Sequence, residues 1–104
     1  MPIMEITIVP IGVPGSSLSP YVADCIRVLK EEKVRYELTA MGTNIEGELK
    51  DLLRIAQKMH QVPFKAGAPR VTTTMRIDDR RDKKGTISGK KEAVQKRLRK
   101  RSRG

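Results

Sequence analysis

The clearest structural signal in the sequence is the stretch RVTTTMRID, from Arg70 to Asp78. Its side chains alternate between two faces, and Val71, Met75 and Ile77 fall on the same one. A period of two residues is typical of a strand that is buried on one face only. The stretch therefore predicts a strand in an antiparallel sheet with one covered face.

Toward the N-terminus the same period recurs from Ile3 to Val9, which predicts a first strand. A loop rich in Pro, Gly and Ser, residues 10–17, separates it from the pair Ser19-Pro20. A hydroxyl that can cap a helix, followed by proline, favours a helix start, and we expect this helix to run to about Glu32.

Between this helix and the stretch from Arg70 we expect two strands and a second helix. Residues 35–43 alternate as a strand, and a short strand fits within residues 43–48. Apolar residues at helical spacing then predict a helix from about Glu48 to His60, and Pro63 is expected to open a loop. After a polar, turn-rich segment at 79–89, a third helix is expected that frays into the basic C-terminus.

This order of elements predicts an α+β fold of the ferredoxin-like βαββαβ type, with an additional C-terminal helix. Both internal helices are expected on one face of an antiparallel sheet. We expect residues 1–89 to form the domain and residues 90–104 to form a basic helix or tail attached to it. The other sheet face would collect residues such as Thr7, Thr43 and Thr74, either as a solvated surface or as an interface between copies.

The formal charge of +10 is confined to the C-terminal end of the chain. Residues 1–79 contain ten basic and ten acidic side chains, whereas residues 80–104 contain twelve basic and two acidic ones. Two interpretations of this tail remain open: a solvated helix end that maintains solubility, and nucleic-acid or polyanion association through phosphate contacts. Base stacking on the sheet is not expected, because no aromatic residue occupies the centre of a predicted strand.

No enzyme class has a complete set of catalytic residues in this sequence. Cys25 lies on the apolar stripe of the first predicted helix, which favours a buried thiol over a nucleophile. His60 is expected to interact with the end of the second helix. One cysteine and one histidine do not supply a zinc site, and no apolar run reaches membrane-spanning length. We therefore expect a cytoplasmic protein without a cofactor.

Four segments together resemble the small thiamine-binding-like proteins, a family without an assigned function. They are Val9–Gly12, Ser17–Val22, Met41–Gly47 and Arg70–Asp82. The resemblance implies a ferredoxin-like subunit that assembles into dimers or tetramers through its sheets. In some members it implies binding of thiamine or of its hydroxymethylpyrimidine moiety, without catalysis.

The resemblance implies a ligand pocket at Ser19, Thr43 and Glu46, with Tyr21 available to stack on a pyrimidine ring. Hydroxyl and carboxylate groups can satisfy the ring nitrogens and the exocyclic amine of an aminopyrimidine. Two of these residues also have structural interpretations. Ser19 can cap the first helix, and Glu46 can stabilise the N-terminal end of the second.

Overall fold

The computed structural model describes residues 1–15, 18–82 and 87–103 of the chain, with side chains up to residue 99. Ser16 and Ser17 of the first predicted loop, and residues 83–86 of the polar segment, lie outside the described residues. The elements are β1 (Ile3–Ile11), α1 (Ser19–Glu32), β2 (Arg35–Leu38), β3 (Thr43–Glu46), α2 (Leu49–Lys65), β4 (Arg70–Asp78) and α3 (Ile87–Arg103).

The four strands form one antiparallel sheet in the order β2-β3-β1-β4. β4 pairs with β1 along its whole length, from Asp78 opposite Ile3 to Arg70 opposite Ile11. The predicted α+β, ferredoxin-like arrangement is therefore confirmed, including the stretch that the sequence singled out as a strand.

The hydrophobic core lies between one sheet face and the helices α1 and α2. Its nine buried side chains come from both layers: Met4, Ile6, Cys25, Leu29, Ile45, Leu52, Ile55, Ala56 and Met59. Full burial of an aliphatic side chain of this size contributes about 1.5–3 kcal/mol, so these contacts supply the main driving force for the fold.

β2 is shorter than predicted, and this changes the face on which Thr43 lies. The strand ends at Leu38, and Thr43 begins β3 instead. Thr43 pairs with Ile6, whose side chain is in the core, so Thr43 lies on the helix-covered face. The prediction that placed Thr43 on the uncovered face was wrong, because a turn intervenes and resets the alternation.

The cap of α1 and the C-terminal end of α2 differ from those predicted. The N-cap of α1 is Leu18, whose carbonyl accepts hydrogen bonds from the backbone of Tyr21 and Val22, so Ser19 is already helical and does not cap. α2 continues past His60 to Lys65 with Pro63 inside its last turn. There proline removes only one hydrogen bond to the preceding turn, and its buried ring packs against the domain.

The first turns of α3 lie against one end of the sheet face opposite α1 and α2. Ile87 is buried there, and three polar contacts hold the helix: Lys90 with Asp78, Lys91 with Glu37, and Arg35 with Ser88. α3 begins before the predicted helix and covers part of the face expected to be open. No helix in the described ranges is long and apolar enough to cross a membrane.

An ion-pair cluster joins the outer sides of α1 and α2. The Glu32 carboxylate accepts hydrogen bonds from Lys58 Nζ at 2.6 Å and from Arg54 Nη1 at 2.7 and 2.8 Å. Hydrogen bonds from Lys58 and then Arg54 hold the pKa of Glu32 below its ordinary value of 4.5.

Replacement of this carboxylate should make the stability loss depend on pH. Because the pKa of Glu32 is lower in the folded state, its contribution is present above the unfolded pKa and is lost as pH falls through the folded value. Glu32→Gln should therefore lower the free energy of unfolding at pH 7 and have less effect once both states are protonated. Urea denaturation at several pH values measures this difference.

The matched control is Glu31→Gln, an exposed neighbour with no ion pair to a described residue. It should have little effect at any pH. An equal loss for Glu32→Gln at pH 7 and in acid would contradict the assigned role of the carboxylate.

Candidate functional site

Unequal strand lengths leave half of β1 without a neighbour on one side. β1 has nine residues and pairs with β4 over all of them, but β3 reaches only Ile3 to Ile6. In the described part of the chain no strand pairs with Thr7–Ile11 on the β3 side. The gap lies beside the N-terminal end of α1 and beneath the β2–β3 turn.

The β2–β3 turn is held in a compact form and is fastened to β1. The Thr39 hydroxyl accepts hydrogen bonds from the backbone N–H groups of Met41 and Gly42 at 3.2 and 3.1 Å, and it donates to the Gly42 carbonyl at 2.9 Å. The Thr7 hydroxyl of β1 donates to the Met41 carbonyl at 2.9 Å. These bonds fix the turn as one wall of the gap.

The gap forms a cavity of about 750 Å³ between α1, the segment Ile6–Val9 of β1 and the β2–β3 turn. This is within the usual size range for small-molecule sites. Apolar residues dominate its lining, and they include Ile6, Ile8, Val9, Leu18, Val22, Ile26, Leu38, Met41 and Met59.

Three of the four predicted ligand residues meet in this cavity. Ser19 and Tyr21 come from the first turn of α1, and Thr43 comes from the start of β3. Glu46 is not among the lining residues. It lies three positions along β3 from Thr43, so the two side chains point to opposite faces of the sheet. Its carboxylate instead approaches Arg35, with 3.6 Å between Oε2 and Nε.

Thr43 is the most deeply buried of the polar residues that line the cavity. The residue is only 6% exposed, and its hydroxyl makes no hydrogen bond with any residue that the structure describes. No described side-chain nitrogen or oxygen atom is both fully buried and without a hydrogen-bond partner, so this hydroxyl is open to the cavity. A ligand in the cavity can therefore reach it for a hydrogen bond.

The cavity also contains two cationic side chains, Arg27 and Lys30, that sequence reasoning missed. Arg27 forms an ion pair with Asp24, with 2.5 Å between Nη1 and Oδ1. None of the lining residues is acidic. The sequence did contain a pattern that could have predicted them. Spacings of four and three residues place Ala23, Arg27 and Lys30 on one side of α1, beside its apolar stripe.

Cys25, at the inner end of the cavity, is a structural thiol. Its Sγ contacts the Met59 carbonyl at 3.8 Å. Pro63 lies four residues after Met59 and has no N–H, so this carbonyl lacks its usual partner within α2 and the thiol occupies that position. Burial, with a smaller effect of the nearby Asp24, raises the pKa of Cys25 from 9.0 to about 11. The thiol is therefore protonated at neutral pH.

The remaining candidate groups for chemistry are engaged elsewhere. His60 Nδ1 lies 2.7 Å from Thr73 Oγ1 on β4, a contact that replaces the predicted interaction at the helix end. The three aspartates near the end of β4 pair with cations, as Asp78 with Lys90, Asp79 with Arg81 and Asp82 with Arg80. Among the described residues, no three His, Cys, Asp or Glu side chains are grouped as a metal site.

The described residues thus form a mainly apolar cavity with convergent hydroxyls at the side of a ferredoxin-like sheet. Comparison with known proteins gives the family. The sequence model of the thiamine-binding protein family matches residues 4–95, and the chain belongs to this family.

Relatives and solved structures agree with this assignment. The chain is 50% identical to the UPF0045 protein YqgV of Bacillus subtilis, over 94% of this chain and 98% of that protein. A crystal structure of a hypothetical protein from Methanocaldococcus jannaschii superimposes with a TM-score of 0.81 at 35% identity, covering 89% of this chain and 94% of that one. A Thermotoga maritima protein, described as a candidate thiamine biosynthesis or salvage protein, shares the fold with a TM-score of 0.73 at 20% identity, covering 89% and 97%.

The close approach of the β2–β3 turn to β1 makes Gly42 sensitive to substitution. A Cβ atom at this position would lie 2.7 Å from Thr7 Oγ1 and 3.0 Å from the Ile6 carbonyl oxygen. Gly42→Ala should therefore displace the turn and lower the free energy of unfolding by about 1–3 kcal/mol, a typical cost of overpacking. Chemical denaturation measures the loss.

Gly47→Ala is the matched control, because a Cβ there meets only Leu52 Cδ2 at an ordinary 3.5 Å. Its effect should be smaller. Equal stability losses in the two variants would show that contact between the turn and β1 does not constrain this wall of the cavity.

Proposed function

We propose that this protein is a non-catalytic binding protein for a small heterocycle, and that its cavity holds the hydroxymethylpyrimidine moiety of thiamine. Membership of the thiamine-binding family supports the class of ligand. The description of the Thermotoga maritima protein, which has the same fold, supports the same class.

The observation that carries the proposal is the Thr43 hydroxyl, which is accessible from a cavity that is otherwise mainly apolar. A flat aminopyrimidine ring can pack against aliphatic side chains while its edge forms hydrogen bonds. Its ring nitrogens accept from a hydroxyl, and its exocyclic amine donates to one. Thr43, Ser19 and Tyr21 supply these groups from two sides of the cavity.

The charge of the lining favours the pyrimidine over intact thiamine. Thiamine carries a permanently cationic thiazolium ring, whereas the cavity presents Lys30 and no lining carboxylate, and the charge of Arg27 is balanced by Asp24. The repulsion between Lys30 and the thiazolium ring is small because Lys30 is exposed to solvent. Lys30 suits an anionic substituent, so we expect affinity to rise from thiamine to hydroxymethylpyrimidine and again to its phosphate ester.

The non-catalytic part of the proposal rests on the state of the candidate nucleophile and base. Cys25 is buried, and its raised pKa keeps it as a thiol at neutral pH. His60 contacts Thr73 on β4 and is not among the residues that line the cavity.

The assembly of subunits through their sheets also stays a prediction. Val9 and Ile11 on the uncovered face are available for it, and a monomer in sedimentation velocity at micromolar concentration would contradict it.

Calorimetric titration of the protein with hydroxymethylpyrimidine, its phosphate ester and thiamine tests the proposal. The expected order of affinity has the phosphate ester tightest and thiamine weakest. Thr43→Val removes the hydroxyl at nearly constant shape, so it should weaken pyrimidine binding by about 5- to 30-fold, which corresponds to about 1–2 kcal/mol.

Thr74→Val is the matched control, because it makes the same chemical change on the opposite sheet face. Glu46→Gln should also leave affinity unchanged, since that carboxylate lies outside the cavity. Absence of heat with all three ligands at about 100 μM protein would refute binding at useful affinity. Equal losses from Thr43→Val and Thr74→Val would place the ligand elsewhere.

A further inference from the structure

α3 extends beyond the domain to which its first turns are attached. The helix spans Ile87–Arg103, about 25 Å at 1.5 Å per residue. Its anchor is short, because Ile87 is buried but Val94 and Leu98 are 58% and 57% exposed. The radius of gyration is 16.1 Å, against about 13 Å for a compact chain of this length. The greatest extent of the molecule is 53 Å, as expected when a helix projects from it.

The basic residues of α3 separate into an anchored group and a projecting group. Lys90 and Lys91 are neutralised by Asp78 and Glu37 of the sheet. Farther along, Lys96, Arg97 and Arg99 are exposed and form no ion pair with a described residue. Three further basic positions follow at 100, 101 and 103. The projecting half therefore carries several positive charges that no ion pair with a described residue balances.

Helical spacing places the described cations on a common side of the helix. At about 100° per residue Lys96, Arg97 and Arg99 lie within an arc of about 160°, and Val94 and Leu98 lie outside it. These three cations therefore form a basic side of the projecting half. The family match ends at residue 95, so the cationic group from Lys96 onward lies beyond the matched region.

We propose that the projecting half of α3 binds the phosphate backbone of duplex nucleic acid without sequence preference, an activity separate from the cavity. Exposed arginine and lysine side chains that form no ion pair with a described residue can neutralise the closely spaced phosphates of a duplex. An anionic membrane is a poorer partner, because Val94 and Leu98 provide much less apolar area than a helix embedded in an interface requires.

Fluorescence anisotropy with a labelled DNA duplex of random sequence, measured at increasing salt, tests this binding. If all six cations contact phosphates, the logarithm of the association constant should fall against the logarithm of salt concentration with a slope of about −5. The triple variant Lys96→Gln, Arg97→Gln and Arg99→Gln should reduce the steepness by about 3 and weaken binding more than tenfold at low salt. Circular dichroism checks that the variant is folded.

A control with the same net charge removes three basic residues from the body of the domain. Lys50, Lys65 and Arg70 are exposed and form no ion pair with a described residue, so their replacement by Gln should leave the salt slope unchanged. Equal weakening in both triple variants would assign binding to net charge and overturn the role of α3.

The absence of duplex binding at low salt would also overturn the proposal. If such a chain were retained on phosphatidylserine vesicles, the cations would be assigned to a membrane surface instead. The pyrimidine titration reports on the cavity and should be unaffected by the α3 variant, so failure here is distinguishable from failure of the proposed ligand.

Discussion

The difference in length between β1 and β3 is the constraint from which the candidate site follows. A nine-residue strand beside a four-residue strand leaves five residues of β1 open on one side. The β2–β3 turn forms one wall of the gap, since it is hydrogen-bonded to β1 through Thr7, and its close approach to β1 depends on the absence of a side chain at Gly42. The first turn of α1 forms the opposite wall. The cavity is thus a consequence of strand pairing and does not require an inserted loop.

The inner end of the cavity depends on a second local feature, the proline in α2. Pro63 removes the hydrogen bond that would satisfy the Met59 carbonyl, and the Cys25 thiol lies against that carbonyl. Such a contact is weak in itself. It nevertheless explains why a cysteine is suited to the buried stripe of α1 where it meets α2. Burial, with a smaller effect of Asp24, raises the pKa of this thiol. The residue that first invites a catalytic interpretation is therefore part of the packing between the two helices.

Element order and the strand from Arg70 were predictable because alternation is strong wherever one sheet face is buried. Prediction failed where local chemistry interrupts the periodicity. The Thr39 hydroxyl closes a turn within the alternating run of residues 35–43, and this reverses the face expected for Thr43. Pro63 does not end α2, because tertiary packing outweighs the loss of one hydrogen bond.

Three residues that line the cavity were among those the resemblance implies, but the neighbouring lining residues could not be predicted. Glu46 belongs to the same short motif as Thr43, yet an odd spacing along a strand separates them across the sheet. Arg27 and Lys30 enter the cavity from a helix side that the apolar stripe alone does not define. Together these changes remove the predicted carboxylate from the cavity and add Lys30, while Arg27 is balanced by Asp24, and this alters the expected ligand.

Methyl NMR spectra recorded during titration with hydroxymethylpyrimidine test the location of the site most directly. A ligand in this cavity should shift the methyl signals of Ile8, Leu38 and Met59, which line it, and leave those of Ile77 and Val94 unchanged. Shifts confined to Ile3, Ile77 and Ile87, around the smaller cavity of about 430 Å³ beneath α3, would contradict it.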